Sequence, residues 1–169
     1  MSEHTIHLHV NGEAYSAHTP SRRVLSDFLR EDLHLMGTKR GCETGTCGAC
    51  SVLLNGQLIK SCLMLAVQAR GCQVSTVEGL ADGDTLHPLQ HSFMQCGGLQ
   101  CGYCTPGMLM AACALLATNS DPTVEEVQQA LSGNLCRCTG YTQIVESVLH
   151  AAEEMRTAPK LASRGLHGN

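Results

Sequence analysis

The sequence predicts an α+β chain in two parts: a strand-rich N-terminal half and a C-terminal bundle of four short helices. Three observations predict it. Asn11-Gly12 and Asn55-Gly56 each stand between short apolar-rich runs, the strongest local hairpin signal. Strand signals stop at the polar, glycine-containing stretch Gly79-Leu80-Ala81-Asp82-Gly83-Asp84, a candidate linker. Beyond it, apolar residues recur at helical spacing.

In the first half, His4 to Val10 alternates, with Ile6, Leu8 and Val10 on one face of a half-buried strand. Glu13 to His18 is the return strand. Ser21 is expected to cap a helix carrying Val24, Leu25, Phe28 and Leu29 on one side. Ser51 to Leu54 and Gln57 to Lys60 make the second hairpin, and Gln73 to Val77 is a short β-prone run. These elements predict a first domain over residues 1–78.

The second predicted domain spans residues 84–156. Leu86, Leu89 and Phe93 share a helical face, with Pro88 tolerated in the first turn. Pro106 opens a helix to about Thr118 whose segment Met108–Ala117 is apolar all round, so it is expected to be central and buried. Thr123 and Glu126 form a capping box before Val124, Val127 and Leu131, which are expected to point inward, and the helix ends near Gly133. A last helix, about Thr142 to Met155, carries Ile144, Val145, Val148, Leu149 and Ala152 on one stripe. Residues 157–169 lack periodicity and are expected to form a loose C-terminal tail.

Composition narrows the function. The 169 residues hold no Trp, 3 Tyr and 2 Phe, so the core must rest on aliphatic side chains. A net charge of −4 without any Lys/Arg run argues against nucleic acid as a partner. Met1 to Val10 holds neither an apolar export region nor a twin arginine. No apolar run approaches the about 20 residues that a membrane span requires. A cytoplasmic chain without a membrane span is therefore expected, and its 11 cysteines are expected to ligate metal rather than to form disulfides. The nine histidines share no spacing with the cysteines and are expected at the surface. The chain shows no phosphate-binding glycine loop and no catalytic triad signal.

Eight of the cysteines fall into two sets. Cys42, Cys47, Cys50 and Cys62 follow C-x4-C-x2-C-x11-C, the spacing of plant-type 2Fe–2S ferredoxins with its distant fourth ligand. Gly41, Gly45 and Gly48 are expected to supply backbone angles that side chains forbid and to bring N–H groups near sulfur. Cys101, Cys104, Cys136 and Cys138 follow C-x2-C-x31-C-x-C, each pair just before a helix. Helix N-termini carry partial positive charge and unpaired N–H groups, which suit an anionic centre. The two pairs can converge if those helices lie side by side. Zinc is the competing occupant for four thiolates, although the C-x-C pair is unusual in zinc ribbons. Cys72, Cys96 and Cys113 lie outside both sets; Cys113, and with it Cys72, is expected to be a small core residue.

Gly41-Cys42 through Cys50, Gln100-Cys101-Gly102-Tyr103-Cys104-Thr105-Pro106-Gly107 and Asn134-Leu135-Cys136-Arg137-Cys138-Thr139-Gly140-Tyr141 resemble the signatures of the small iron–sulfur subunit of molybdenum hydroxylases, the family of xanthine dehydrogenase, aldehyde oxidoreductase and carbon monoxide dehydrogenase. The resemblance covers about residues 4–155. It implies a β-grasp, plant-ferredoxin-like N-terminal domain followed by a helical domain. It implies two 2Fe–2S clusters: one on Cys101, Cys104, Cys136 and Cys138 next to a molybdopterin in a large subunit, and one on Cys42, Cys47, Cys50 and Cys62 nearer FAD in a medium subunit. Gln100 and Cys138 then lie against the pterin. The complex would be an oxidoreductase hydroxylating a small substrate, a nitrogen heterocycle or an aldehyde first among the candidates, as a dimer of heterotrimers. The chain itself would carry electrons and make no bonds. A free-standing two-cluster ferredoxin is the alternative, separated from the first reading by whether two larger chains co-purify.

Overall fold

In the computed structural model, which describes residues 3–157, β1 (Glu3–Val10) pairs antiparallel with β2 (Glu13–Pro20), and β3 (Ser51–Leu54) with β4 (Gln57–Lys60). Asn11 and Gly12 have φ of 53° and 86°, Asn55 and Gly56 of 49° and 80°. Positive φ at both central residues is the type I′ turn that the two dipeptides predict. β5 (Gln73–Ser75) joins the hairpins, parallel to β1 and antiparallel to β3, giving one five-stranded sheet in the order β2-β1-β5-β3-β4.

Strand β3 buries both faces, whereas β1 buries one. Ile6, Leu8, Val10, Val52 and Val74 meet Leu25, Phe28 and Leu29 on one side. Leu53 points the other way and joins the core of the helices. Consecutive residues of one strand thus serve different cores, as the two-residue period of a strand requires.

The first helix departs from expectation. α1 (Leu25–Asp27) runs directly into a π-helical turn, Phe28–Asp32, where Leu33 N donates to Phe28 O at 3.2 Å. Its N-cap is Val24 rather than Ser21, and no side chain caps it. The reason is tertiary: Leu25 N donates to Met64 O (2.7 Å) and Ala66 N to Arg23 O (2.8 Å), so backbone pairing with a distant segment sets where the helix starts.

The second half holds α2 (Pro88–Gln95), α3 (Thr105–Thr118), α4 (Val124–Leu131) and α5 (Thr142–Thr157). α3 is buried from Gly107 to Cys113 because it lies between β3–β4 and the helices α2 and α4. α5 packs along α2 and α4. Thr123 and Glu126 form the predicted capping box, Thr123 N donating to Glu126 Oε2 at 2.7 Å. Two residues depart from their expected places, Leu86 on the helical face with Leu89 and Phe93, and Val124 pointing inward. Leu86 precedes α2 and is 44% exposed, and Val124, the first residue of α4, is 43% exposed. The predicted linker is not loose: Leu80 is buried in the helical core, and Asp82 and Thr85 exchange backbone hydrogen bonds. Helix α5 continues to Thr157, and the remainder of the expected tail, 158–169, lies outside the described residues.

Candidate metal centres

The loop carrying Cys42, Cys47 and Cys50 runs into β3, and Cys62 lies in the 3-10 turn directly after β4. The eleven-residue gap in the motif is therefore one hairpin. Ser51 pairs with Lys60, and Ser61 donates from both N (3.3 Å) and Oγ (2.7 Å) to Cys50 O, which returns Cys62 to Cys50. Burial first, and then the neighbouring Cys50 thiol, lift the Cys62 thiol to about 11. Cys42 has the opposite environment. Its Sγ accepts from Thr44 N (3.4 Å) and Cys47 N (3.3 Å), and the Thr44 side chain and these N–H groups hold the thiol down at about 6. Hydrogen bonds that favour thiolate here also suit a sulfur ligand.

Gly45 and Gly48 adopt φ of 79° and 71°, as expected of the loop backbone. Gly41 has a different reason. Its φ is not left-handed, but a Cβ there would stand 2.7 Å from Cys47 Sγ.

The second set converges as well. Cys104 is the N-cap of α3, and Cys101 and Cys138 bring their Sγ atoms within 3.6 Å. Burial, then the neighbouring Cys136 thiol, push the Cys104 thiol up to about 12. Burial also raises Cys136, but the Thr139 hydroxyl (3.2 Å) and the N–H groups of Thr139 and Cys138 outweigh it and lower the thiol. The helices do not lie side by side to achieve this, since α5 packs on α2 and α4. Residues 134–141 fold back instead: Cys136 N donates to Tyr141 Oη (2.9 Å), which donates to Asn134 O (3.1 Å). Cys101, Cys138 and Gln100 are exposed, whereas Cys104 and Cys136 are half-buried.

All eleven cysteines are free, so both sets present thiols rather than disulfides. Thr105 Oγ1, beside Cys104, is buried without a hydrogen-bond partner. Four thiols with N–H donors aimed at sulfur and an orphaned hydroxyl alongside suit an anionic sulfur-rich group. Cys113 is buried within α3, Cys96 caps the C-terminus of α2, and Cys72 is half-buried ahead of β5 rather than in the core. The histidines of β1 and β2 are exposed or half-buried, and His87 caps α2, a use that its sequence does not announce.

Sequence reasoning missed how the two cysteine loops meet. Leu135 N donates to Cys47 O at 2.8 Å. Asn134, 1% exposed, donates from Nδ2 to Gly48 O (3.0 Å) and Ser51 Oγ (3.3 Å). Lys60 Nζ donates to Gly133 O (2.7 Å), Asn134 Oδ1 (3.1 Å) and Ser51 Oγ (3.1 Å). The Tyr103 hydroxyl donates to Arg40 O.

A family profile described as "2Fe-2S iron-sulfur cluster binding domain" matches residues 8–81, and one described as "[2Fe-2S] binding domain" matches residues 76–149. The nicotinate dehydrogenase small FeS subunit of Eubacterium barkeri is 50% identical over 153 residues, covering 90% of this chain and 98% of that protein. The nicotine 6-hydroxylase small subunit of Paenarthrobacter nicotinovorans is 53% identical over 146 residues, 86% of this chain and 88% of that one. The chain belongs to the small iron–sulfur subunits of molybdenum hydroxylases. As such a subunit it has two 2Fe–2S-binding domains and is a non-catalytic, electron-carrying part of an oxidoreductase complex. Among solved structures, quinoline 2-oxidoreductase from Pseudomonas putida 86 matches with a TM-score of 0.89 at 46% identity, covering 92% of this small subunit and 98% of that chain. Aldehyde oxidoreductase from Desulfovibrio gigas matches at 0.87 and 40% identity, over 92% of this small subunit but 18% of its own longer chain. Among the described residues of the small subunit, no helix is long and apolar enough to cross a membrane.

Proposed function

We propose that this chain carries electrons between a large molybdopterin-binding subunit and a medium FAD-binding subunit, in a cytoplasmic dimer of heterotrimers that hydroxylates a small substrate, a nitrogen heterocycle or an aldehyde. Cys42, Cys47, Cys50 and Cys62 hold one 2Fe–2S cluster in a β-grasp, ferredoxin-like domain over residues 1–78. Cys101, Cys104, Cys136 and Cys138 hold the other in a four-helix domain over residues 84–156. When bound, the clusters supply one-electron storage between the two partner-held cofactors.

The hydrogen bond from Leu135 N to Cys47 O, 2.8 Å, carries this reading. It ties the residue before Cys136 directly to a cysteine of the other set, so the two ligand loops are neighbours. Exposed apolar side chains beside the cysteines support contact with partners: Leu63 next to Cys62, Leu135 next to Cys136, and Tyr103 between Cys101 and Cys104. Gln100 would offer its side-chain amide to a pterin in the large subunit, with Cys138 alongside; the exposure of both residues supports this.

The test is iron analysis and electron paramagnetic resonance on the purified complex. About four irons per chain are expected, two per cluster. Cys136→Ser should remove one reduced-state signal, Cys47→Ser the other, and Cys113→Ser neither. Loss of the same signal in both ligand variants, or half the iron in loaded material, would overturn the assignment.

A further inference from the structure

We propose that Lys60 is a positioning residue whose ammonium holds the first cysteine loop against the Gly133–Asn134 segment and raises the reduction potential of the centre on Cys42, Cys47, Cys50 and Cys62. The proposal rests on the two-cluster reading above.

Lys60 is the last residue of β4 and pairs across the hairpin with Ser51, the residue after Cys50. Its side chain is half-buried, and its Nζ makes three hydrogen bonds, to Ser51 Oγ, Gly133 O and Asn134 Oδ1. An ammonium has three N–H donors, so all are committed. Every partner is neutral. Among the described residues no carboxylate forms an ion pair with Lys60. Arg40, which also flanks the loop, differs: Asp27 and Glu31 both pair with it, so its charge is compensated locally.

A cation partly withdrawn from water among neutral acceptors gains from an anion nearby. Among the described residues no side-chain carboxylate pairs with it. The ligand set provides an anion: a 2Fe–2S centre on four thiolates is formally dianionic when oxidised and trianionic when reduced. Cys62 lies two residues beyond Lys60, and Cys50 adjoins its Ser51 partner. A fixed positive charge there favours the more negative, reduced form and so raises the potential. Asn134, which receives one Lys60 hydrogen bond, passes its own amide to Gly48 O, so the same side chain sets the spacing of the two loops.

The experiment is a redox titration of the assembled complex followed by electron paramagnetic resonance, with K60Q and K60R beside the wild type. At the wild-type midpoint of the first centre, K60Q should lower its reduced-to-oxidised ratio by about tenfold, a fall of about 59 mV for one electron. The second centre should shift less, and K60R, which keeps the charge, should hold the wild-type potential. Spin–spin splitting between the reduced centres should weaken in K60Q and persist in K60R. Unshifted K60Q potentials beside two normal wild-type signals would refute this proposal alone. So would a K60R fall as large as that of K60Q, or a larger shift at the second centre. Absence of both signals from the wild-type complex would refute the cluster reading itself, and the proposal with it.

Discussion

A Cβ placed on Gly107 would stand 2.3 Å from the carbonyl oxygen of Gly48. The first turn of α3 therefore packs directly on the backbone of the first cysteine loop. Because the contact is backbone against backbone, no side-chain rotation relieves it.

Gly107→Ala should push the two loops apart. Overpacking of this kind costs about 1–3 kcal/mol, to be read as a lowered urea midpoint at unchanged slope. The same variant should weaken the magnetic interaction between the two reduced centres while leaving both signals present. Wild-type stability and coupling would contradict the contact.

Asn134→Ala should be worse than its small size change suggests. Asn134 is buried and bonds Gly48 O, Ser51 Oγ and Lys60 Nζ. Removing it strands polar groups at a buried junction, each costing about 1–3 kcal/mol. Urea unfolding of the metal-loaded chain measures the loss, and Asn134→Asp, which keeps the shape and the acceptor facing Lys60, should recover part of it.

His87 predicts an acid-sensitive helix start. Its Nδ1 accepts from Leu89 N (3.2 Å), which requires the unprotonated ring, and burial pushes its pKa below the ordinary histidine value. A depressed folded-state pKa means that the unfolded chain binds the proton more readily. Stability from this group is then complete above the unfolded value of about 6.5 and declines as pH falls below it. His87→Asn keeps a capping acceptor and removes the titration. The urea midpoint of the variant should fall less than that of the wild type on acidification through that window, and equal falls would contradict the assignment.

Much of this protein was legible from local pattern. Asn11-Gly12 and Asn55-Gly56 announced both hairpins because type I′ turns demand those residues. The Thr123–Glu126 box and the uniformly apolar Met108–Ala117 run marked α4 and α3 because capping and burial act within one or two turns. Ser21, Leu86 and Val124 misled for the converse reason. Each fits a local rule, but backbone pairing to Met64 and the actual start of α2 and α4 decided the outcome.

By itself, then, the sequence marked Cys42, Cys47, Cys50 and Cys62 as one set, because C-x4-C-x2-C and the hairpin-long gap to Cys62 act over short stretches of chain. Only the tertiary structure decided that the two groups share a boundary, and that Lys60 and Asn134 form it. Lys60 meets Gly133 across 73 positions and Asn134 meets Gly48 across 86. No periodicity, turn or cap carries information over that separation; packing of α3 against the sheet does.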